Sequence, residues 1–162
     1  MLELLQKIHY STTLNTSLSE GIVLIVLGII MWKLRKKIST LPIIYTVFLI
    51  VYITLLRRAS GYNETIRLHL RLLPNADIWA GNLLNLILYV PFGGALAYWM
   101  HRRKREEYFT MNSCLMILSG TALSVFCEGI QYITGRGWAD INDVVFNTLG
   151  MAVGIWLARK MK

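Results

Sequence analysis

Very little of this 162-residue chain is acidic, and its long apolar runs contain none of the common catalytic signatures. Nine Asp and Glu stand against seventeen Lys and Arg. No GxSxG elbow, HExxH helix, phosphate-binding glycine loop or reactive-cysteine setting is present, which argues against the familiar hydrolase and nucleotide-binding classes. Cysteine is nearly absent as well. Cys114 and Cys127 fall on one expected helix, too far apart along it to bridge, and belong to no metal-ligand spacing, so both read as core residues. His9, His69 and His101 are scattered, without the acidic or cysteine partners of a metal site. Neither a metal nor a cofactor is expected. There is no inverted repeat of the kind that builds many transporters.

Apolar length is what the chain has in abundance. It is 55% hydrophobic, with basic clusters between the apolar runs, the pattern of a multi-span membrane protein rather than a soluble domain. Five stretches, approximately 18–32, 41–56, 83–100, 110–130 and 141–158, are long enough to cross a hydrocarbon core of about 30 Å at about 1.5 Å per residue. The expectation is an all-α, polytopic transmembrane helical bundle of about five spans. Residues 1–40 would form an anchor helix and a cytoplasmic basic loop, and residues 41–162 the main helical membrane domain. The first stretch does not read as a signal peptide, because Lys33, Arg35, Lys36 and Lys37 follow its apolar core and no small-residue cleavage site appears.

The basic residues also suggest an orientation. Residues 33–37, 101–105 and 159–162 fall on one side of a five-span chain, which would make that side cytoplasmic and leave the amino terminus outside. Orientation and attraction to anionic lipid account for the +8 net charge, so membrane lipids are expected partners and nucleic acid is not.

Between the second and third spans, Ile66 to Leu72 alternate apolar and basic residues with period two. That pattern predicts an extended or re-entrant interfacial segment whose basic face carries Arg67, His69 and Arg71. It is either a structural loop or a basic lid over an anionic ligand. Arg57 and Arg58, at the end of the second span, either snorkel to headgroups or turn inward to a carboxylate.

Six polar residues cluster at the outer ends of the last two spans: Glu128, Gln131, Arg136, Asp140, Asp143 and Asn147. Polar groups at membrane depth pair with one another or line a wet cavity, so these mark a candidate site. Glu128 and Gln131 share a helical face at i, i+3. Asp140 is placed as an N-cap, with Asp143 in the first turn and Asn147 one turn deeper; capping and the helix dipole could account for the two aspartates without a ligand. Glu128 lies at a helix carboxyl end, against the dipole, and so calls for a cation from Arg136, Arg57 or Arg58. Asn82, Asn85 and Tyr89 form a polar stripe on the third span, as ligand contacts or as packing amides. Gly150 and Gly154 continue the last span's polar face as a helix-packing strip, Gly135 and Gly137 permit the preceding turn, and Trp138 would anchor at the interface.

The stretches NLLNLILYVPFG at 82–93, EGIQ at 128–131 and GRGWADINDVVFNTLG at 135–150 resemble the VanZ-like family of bacterial membrane proteins, as does IRLHLRLLP at 66–74. The resemblance covers about 56–158, with the first span an apparent addition. It places Asn85, Pro91, Gly93, Glu128, Gln131, Arg136, Asp140, Asp143, Asn147 and Gly150 at family-motif positions. It implies a bacterial plasma-membrane protein, and the founding member is associated with teicoplanin resistance. No settled reaction accompanies the family.

Three readings follow. The first is a non-catalytic envelope protein that binds an anionic amphiphile, such as a lipid-linked cell-wall precursor or a lipoglycopeptide, through Arg57, Arg67, His69, Arg71, Asn82, Asn85 and the six-residue cluster. The second is an intramembrane enzyme acting on a lipid or cell-wall precursor, with Glu128 as general base and Asp143 or Asp140 orienting it. The third is a small transporter.

Overall fold

The computed structural model describes residues 18–58, 66–67, 76–102, 109–137 and 139–160. Helix α1 spans Leu18–Leu34, and α2 spans Leu41–Val51 and continues through a π-helical turn at Tyr52–Leu56. A two-residue strand, β1 (Ile66–Arg67), precedes α3 (Ala76–Arg102) and α4 (Phe109–Ile133). Strand β2 (Ala139–Asp140) then leads directly into α5 (Ile141–Lys160). Among the described residues the fold is all-α apart from one parallel pairing of β1 with β2, in the register Ile66 to Ala139 and Arg67 to Asp140. The extended reading of 66–72 therefore holds at Ile66 and Arg67, while residues 68–72 lie outside the described segments.

Among the described residues, three segments are long and apolar enough to cross a membrane: Ala80–Arg102, Ser113–Ile133 and Ile141–Lys160. The apolar stretch Leu41–Leu56 is shorter, and α1 has 17 residues. Large apolar side chains such as Ile25, Leu115, Phe126 and Trp156 face outward, as expected where hydrocarbon rather than water is the surrounding solvent.

The centre of the fold is the α3–α5 pair. A Cβ at Gly150 would run into the Leu86 carbonyl, one at Gly154 into the Val90 carbonyl, and one at Gly93 into the Met151 carbonyl. The two backbones touch through these glycines, which is how membrane helices gain dispersion energy when lipid offers no hydrophobic drive between them. Tyr89, Phe92, Met151 and Ile155 are buried around the seam. Helix α4 packs on α5, and Gly120 lies under the Met151 side chain. Helix α2 lies against α3, and α1 lies against α2.

Polar pins hold α1 in place. The Tyr45 hydroxyl donates to the Leu24 carbonyl, and the Tyr52 hydroxyl donates to Glu20. Arg57 Nε lies 3.8 Å from the same glutamate.

Candidate functional site

The site forms where three helix ends meet. Helix α4 stops at Gly135, whose φ of 58° is a left-handed conformation that side-chain-bearing residues resist. The closing bonds are Gly135 N–H to the Tyr132 carbonyl (3.3 Å) and Arg136 N–H to the Gln131 carbonyl (2.9 Å). This is a Schellman ending, and it turns the chain back over the helix end.

That reversal sends Arg136 towards α2. Its Nη1 donates to the Leu55 carbonyl at 2.8 Å, and Gln131 Nε2 donates to the Thr54 carbonyl at 3.1 Å. Both carbonyls belong to the π-helical last turn of α2, where backbone acceptors lack helical partners and carry the negative end of the dipole. Arg136 therefore caps α2. Arg58 completes the junction by donating to Gln131 Oε1 at 3.1 Å. Gly137 sits directly over this pair, since a Cβ there would lie 2.8 Å from Arg58 Nη1 and 3.0 Å from Gln131 Oε1.

Glu128 lies one helical turn below the junction. Only 7% exposed, it accepts a 3.0 Å hydrogen bond from the Asp140 N–H through Oε2. Asp140 Oδ1 in turn accepts from the Asn142 N–H at 3.0 Å, so Asp140 caps the start of α5. Asp143 and Asp140 bring negative charge against Glu128, and Arg58 supplies positive charge. Of the three cations that could answer Glu128, Arg57 is engaged with Glu20, Arg136 with the α2 terminus and Arg58 with Gln131, so that Arg58 acts on Glu128 through its charge rather than through a hydrogen bond.

Deeper in the bundle, Asn147 Nδ2 donates to Ser124 Oγ at 2.8 Å, with both residues buried. Asn147 Oδ1 is buried without a hydrogen-bond partner among the described residues. The fully buried Tyr89 hydroxyl lies beside Ser124 without a well-formed hydrogen bond. Two buried polar atoms, on residues that both adjoin Ser124, thus lack a well-formed hydrogen bond. Asn82 is buried near the start of α3, and Asn85 is half-buried.

The structure thus gathers Glu128, Gln131, Arg136, Asp140, Asp143 and Asn147 at one end of the bundle and places Arg57, at the end of α2, against Glu20 of α1. Arg67 joins through its backbone pairing with Asp140. His69, Arg71 and Trp138 lie outside the described residues. Thr54, Ser124 and Asn142 also belong to the network, although the motif pattern does not single them out, and Arg58, expected as a candidate partner of Glu128, joins it through Gln131. Helical spacing offers a signal for one of them: Ser124 is one turn before Glu128, at i, i+4 on the same face, whereas Thr54 joins through its backbone carbonyl, which side-chain spacing does not mark. Among the described residues, no group of three or more His, Cys, Asp or Glu side chains could hold a metal ion.

The turn that carries Arg136, the Asp140 cap, Asp143, Asn147 and the glycine seam at Gly150 form one continuous stretch, and a family model named VanZ/LLP1 matches residues 21–162 across it. The chain belongs to the VanZ/LLP1 family. The match begins inside α1 and includes every described element that follows, a longer extent than the 56–158 over which the recognisable motifs lie. No curated protein and no solved structure gives a significant match. Family membership and three membrane-length helices together make this a VanZ-like membrane protein.

Proposed function

We propose that this VanZ-like protein crosses the bacterial plasma membrane five times, with its amino terminus outside, and holds the polar head of an anionic amphiphile at the Glu128 end of the bundle. The observation that carries this reading is the parallel pairing of Arg67 with Asp140. It docks Ile66 and Arg67, the start of the basic stretch, beside the residue whose N–H is held by Glu128. A segment fixed there by backbone bonds can deliver Arg67, His69 and Arg71 as a lid, and guanidinium groups match phosphate and carboxylate oxygens in geometry. The unpartnered Tyr89 hydroxyl and Asn147 carbonyl oxygen supply a donor and an acceptor below it.

Candidate ligands are lipid-linked cell-wall precursors and lipoglycopeptides, and capture of the latter would contribute to teicoplanin resistance. The test expresses wild type, Glu128→Gln and Asp143→Asn at matched membrane levels in a sensitive Gram-positive host and measures susceptibility to teicoplanin and vancomycin. Selective protection against teicoplanin by wild type, lost in both variants, is the expected result. Equal protection by all three proteins, or none by any, would refute the role of the cluster.

The closeness of Asp143 and Asp140 to Glu128 favours one alternative, an intramembrane enzyme that uses Glu128 as general base. Its signature would be a changed lipid-precursor profile in cells carrying wild type, absent from cells carrying Glu128→Gln. Identical profiles would remove it.

A further inference from the structure

A second feature lies away from the Glu128 cluster. Helices α1, α2, α3 and α5 enclose a groove of about 1030 Å³ that runs from Gly21 past Gly28 and Gly94 to Arg35. Its walls are almost wholly apolar. Every charged residue lining it among the described residues is basic: Lys33, Arg35 and Arg159, with His101 beside them at the same end. No Asp or Glu among the described residues lines it. This charge pattern suits a molecule with a long apolar body and one anionic end, and it disfavours an apolar helix from a second copy, which would leave the basic end unmatched.

Arg35 is built into the groove mouth. Its guanidinium carbon sits 4.2 Å from the centroid of the Trp32 ring and 5.5 Å from that of Tyr98. Nη1 is held by the Trp32 carbonyl at 2.7 Å. The Nε atom, shielded from solvent, has no hydrogen-bond partner among the described residues. Aromatic stacking and one backbone bond thus fix the orientation of a guanidinium group that keeps an unsatisfied donor. Such a donor in apolar surroundings calls for a charged acceptor. The cluster lies at the end that the Lys and Arg distribution assigns to the cytoplasm, where anionic lipid headgroups are concentrated.

We infer that this groove binds one anionic phospholipid, with an acyl chain lying between α1 and α3 and the phosphate held at Arg35. The site is separate from the Glu128 cluster, and its test does not depend on the function proposed there.

The experiment is native mass spectrometry of the full-length protein. It is titrated with an equimolar mixture of phosphatidylglycerol and phosphatidylcholine carrying identical chains. Wild type should retain one phosphatidylglycerol with at least fivefold preference. Arg35→Gln should lower that preference below twofold, whereas Arg35→Lys, which keeps the charge, should retain most of it. Gly94 lines the groove seven residues before His101, about 10 Å below the basic mouth. A Cβ there meets only the Gly154 carbonyl oxygen, at 3.8 Å, so Gly94→Leu should block the acyl chain and reduce retention of both lipids. Equal retention of the two lipids by wild type would overturn the proposal, as would an undiminished preference in Arg35→Gln. A wild type that appears only as a lipid-free dimer would show the groove filled by a second copy and would equally overturn it.

Discussion

The two halves of the α3–α5 pair are held by opposite means. At Gly93, Gly150 and Gly154 the backbones press together so closely that no side chain intervenes, whereas one to two turns away Asn82, Tyr89, Ser124 and Asn147 fill the space with polar groups. The first region is all contact and no chemistry. The second keeps a buried acceptor on Asn147 and a buried hydroxyl on Tyr89 without well-formed partners. In a membrane this division has a physical basis: dispersion at a glycine seam accumulates over many atoms, while a single interhelical hydrogen bond averages about 0.6 kcal/mol. A seam of this kind can carry the stability and leave the polar end available to bind.

If that comparison is right, the largest loss comes from the seam. Gly150→Leu must displace the α3 backbone at Leu86 rather than a flexible side chain, and should destabilise the protein by about 3 kcal/mol or more in thermal unfolding in detergent. A loss below 1 kcal/mol would mean that the seam is not what holds α3 to α5.

Glu128→Ala comes next. It strips the buried Asp140 N–H of its acceptor, an expected loss of about 1–3 kcal/mol. Glu128→Gln keeps an amide oxygen in that place and should unfold close to wild type, so any functional loss in this variant reports on charge. If Gln were as destabilising as Ala, the carboxylate would have to be treated as a structural element.

Gln131→Leu frees the Thr54 carbonyl and Arg58 together, and should remove about 1–1.7 kcal/mol, towards the upper end for interhelical polar contacts in membranes. Ser124→Ala breaks the single bond to Asn147 Nδ2, with an expected loss of about 0.6 kcal/mol in the same assay. A Ser124→Ala loss as large as that of Gly150→Leu would reverse the assignment of stability to the seam.

The smallest effect is expected at Gly21, where a Cβ would meet nothing within 4 Å. Gly21→Ala should be neutral or stabilise by up to about 1 kcal/mol through helix propensity. Marked destabilisation there would show that α1 packs more closely than its described contacts indicate.

Much of this arrangement is legible in the residues themselves. Apolar length marks the helices, and the i, i+3 and i, i+4 spacings place Glu128 with Gln131, and Asp143 with Asn147 and the glycines beyond, on single faces. The alternation of Ile66 and Arg67 anticipates extended backbone. Less legible were the destinations of the arginines. Arg57, Arg58 and Arg136 are equivalent candidates by depth, because a long cationic side chain reaches several angstroms in any direction. Their different partners, Glu20, Gln131 and the Leu55 carbonyl, follow from where the α2 terminus and the α4 turn meet. Asn142 was invisible for a related reason, since its burial depends on the chain reversal that starts α5 rather than on its place in a helical stripe.

The sequence by itself determined the all-α class, the membrane setting, the family and the helical faces that carry Glu128, Gln131, Asp143 and Asn147, because hydrophobic length and helical period are local properties of the chain. Only the tertiary structure decided that the 66–67 segment pairs with the turn before α5, that Arg136 serves as a cap while Arg58 takes Gln131, and that α1 stands off to leave a groove with a basic mouth. Those outcomes depend on contacts between residues tens of positions apart, where orphaned carbonyls and buried charges choose among partners that sequence spacing cannot rank.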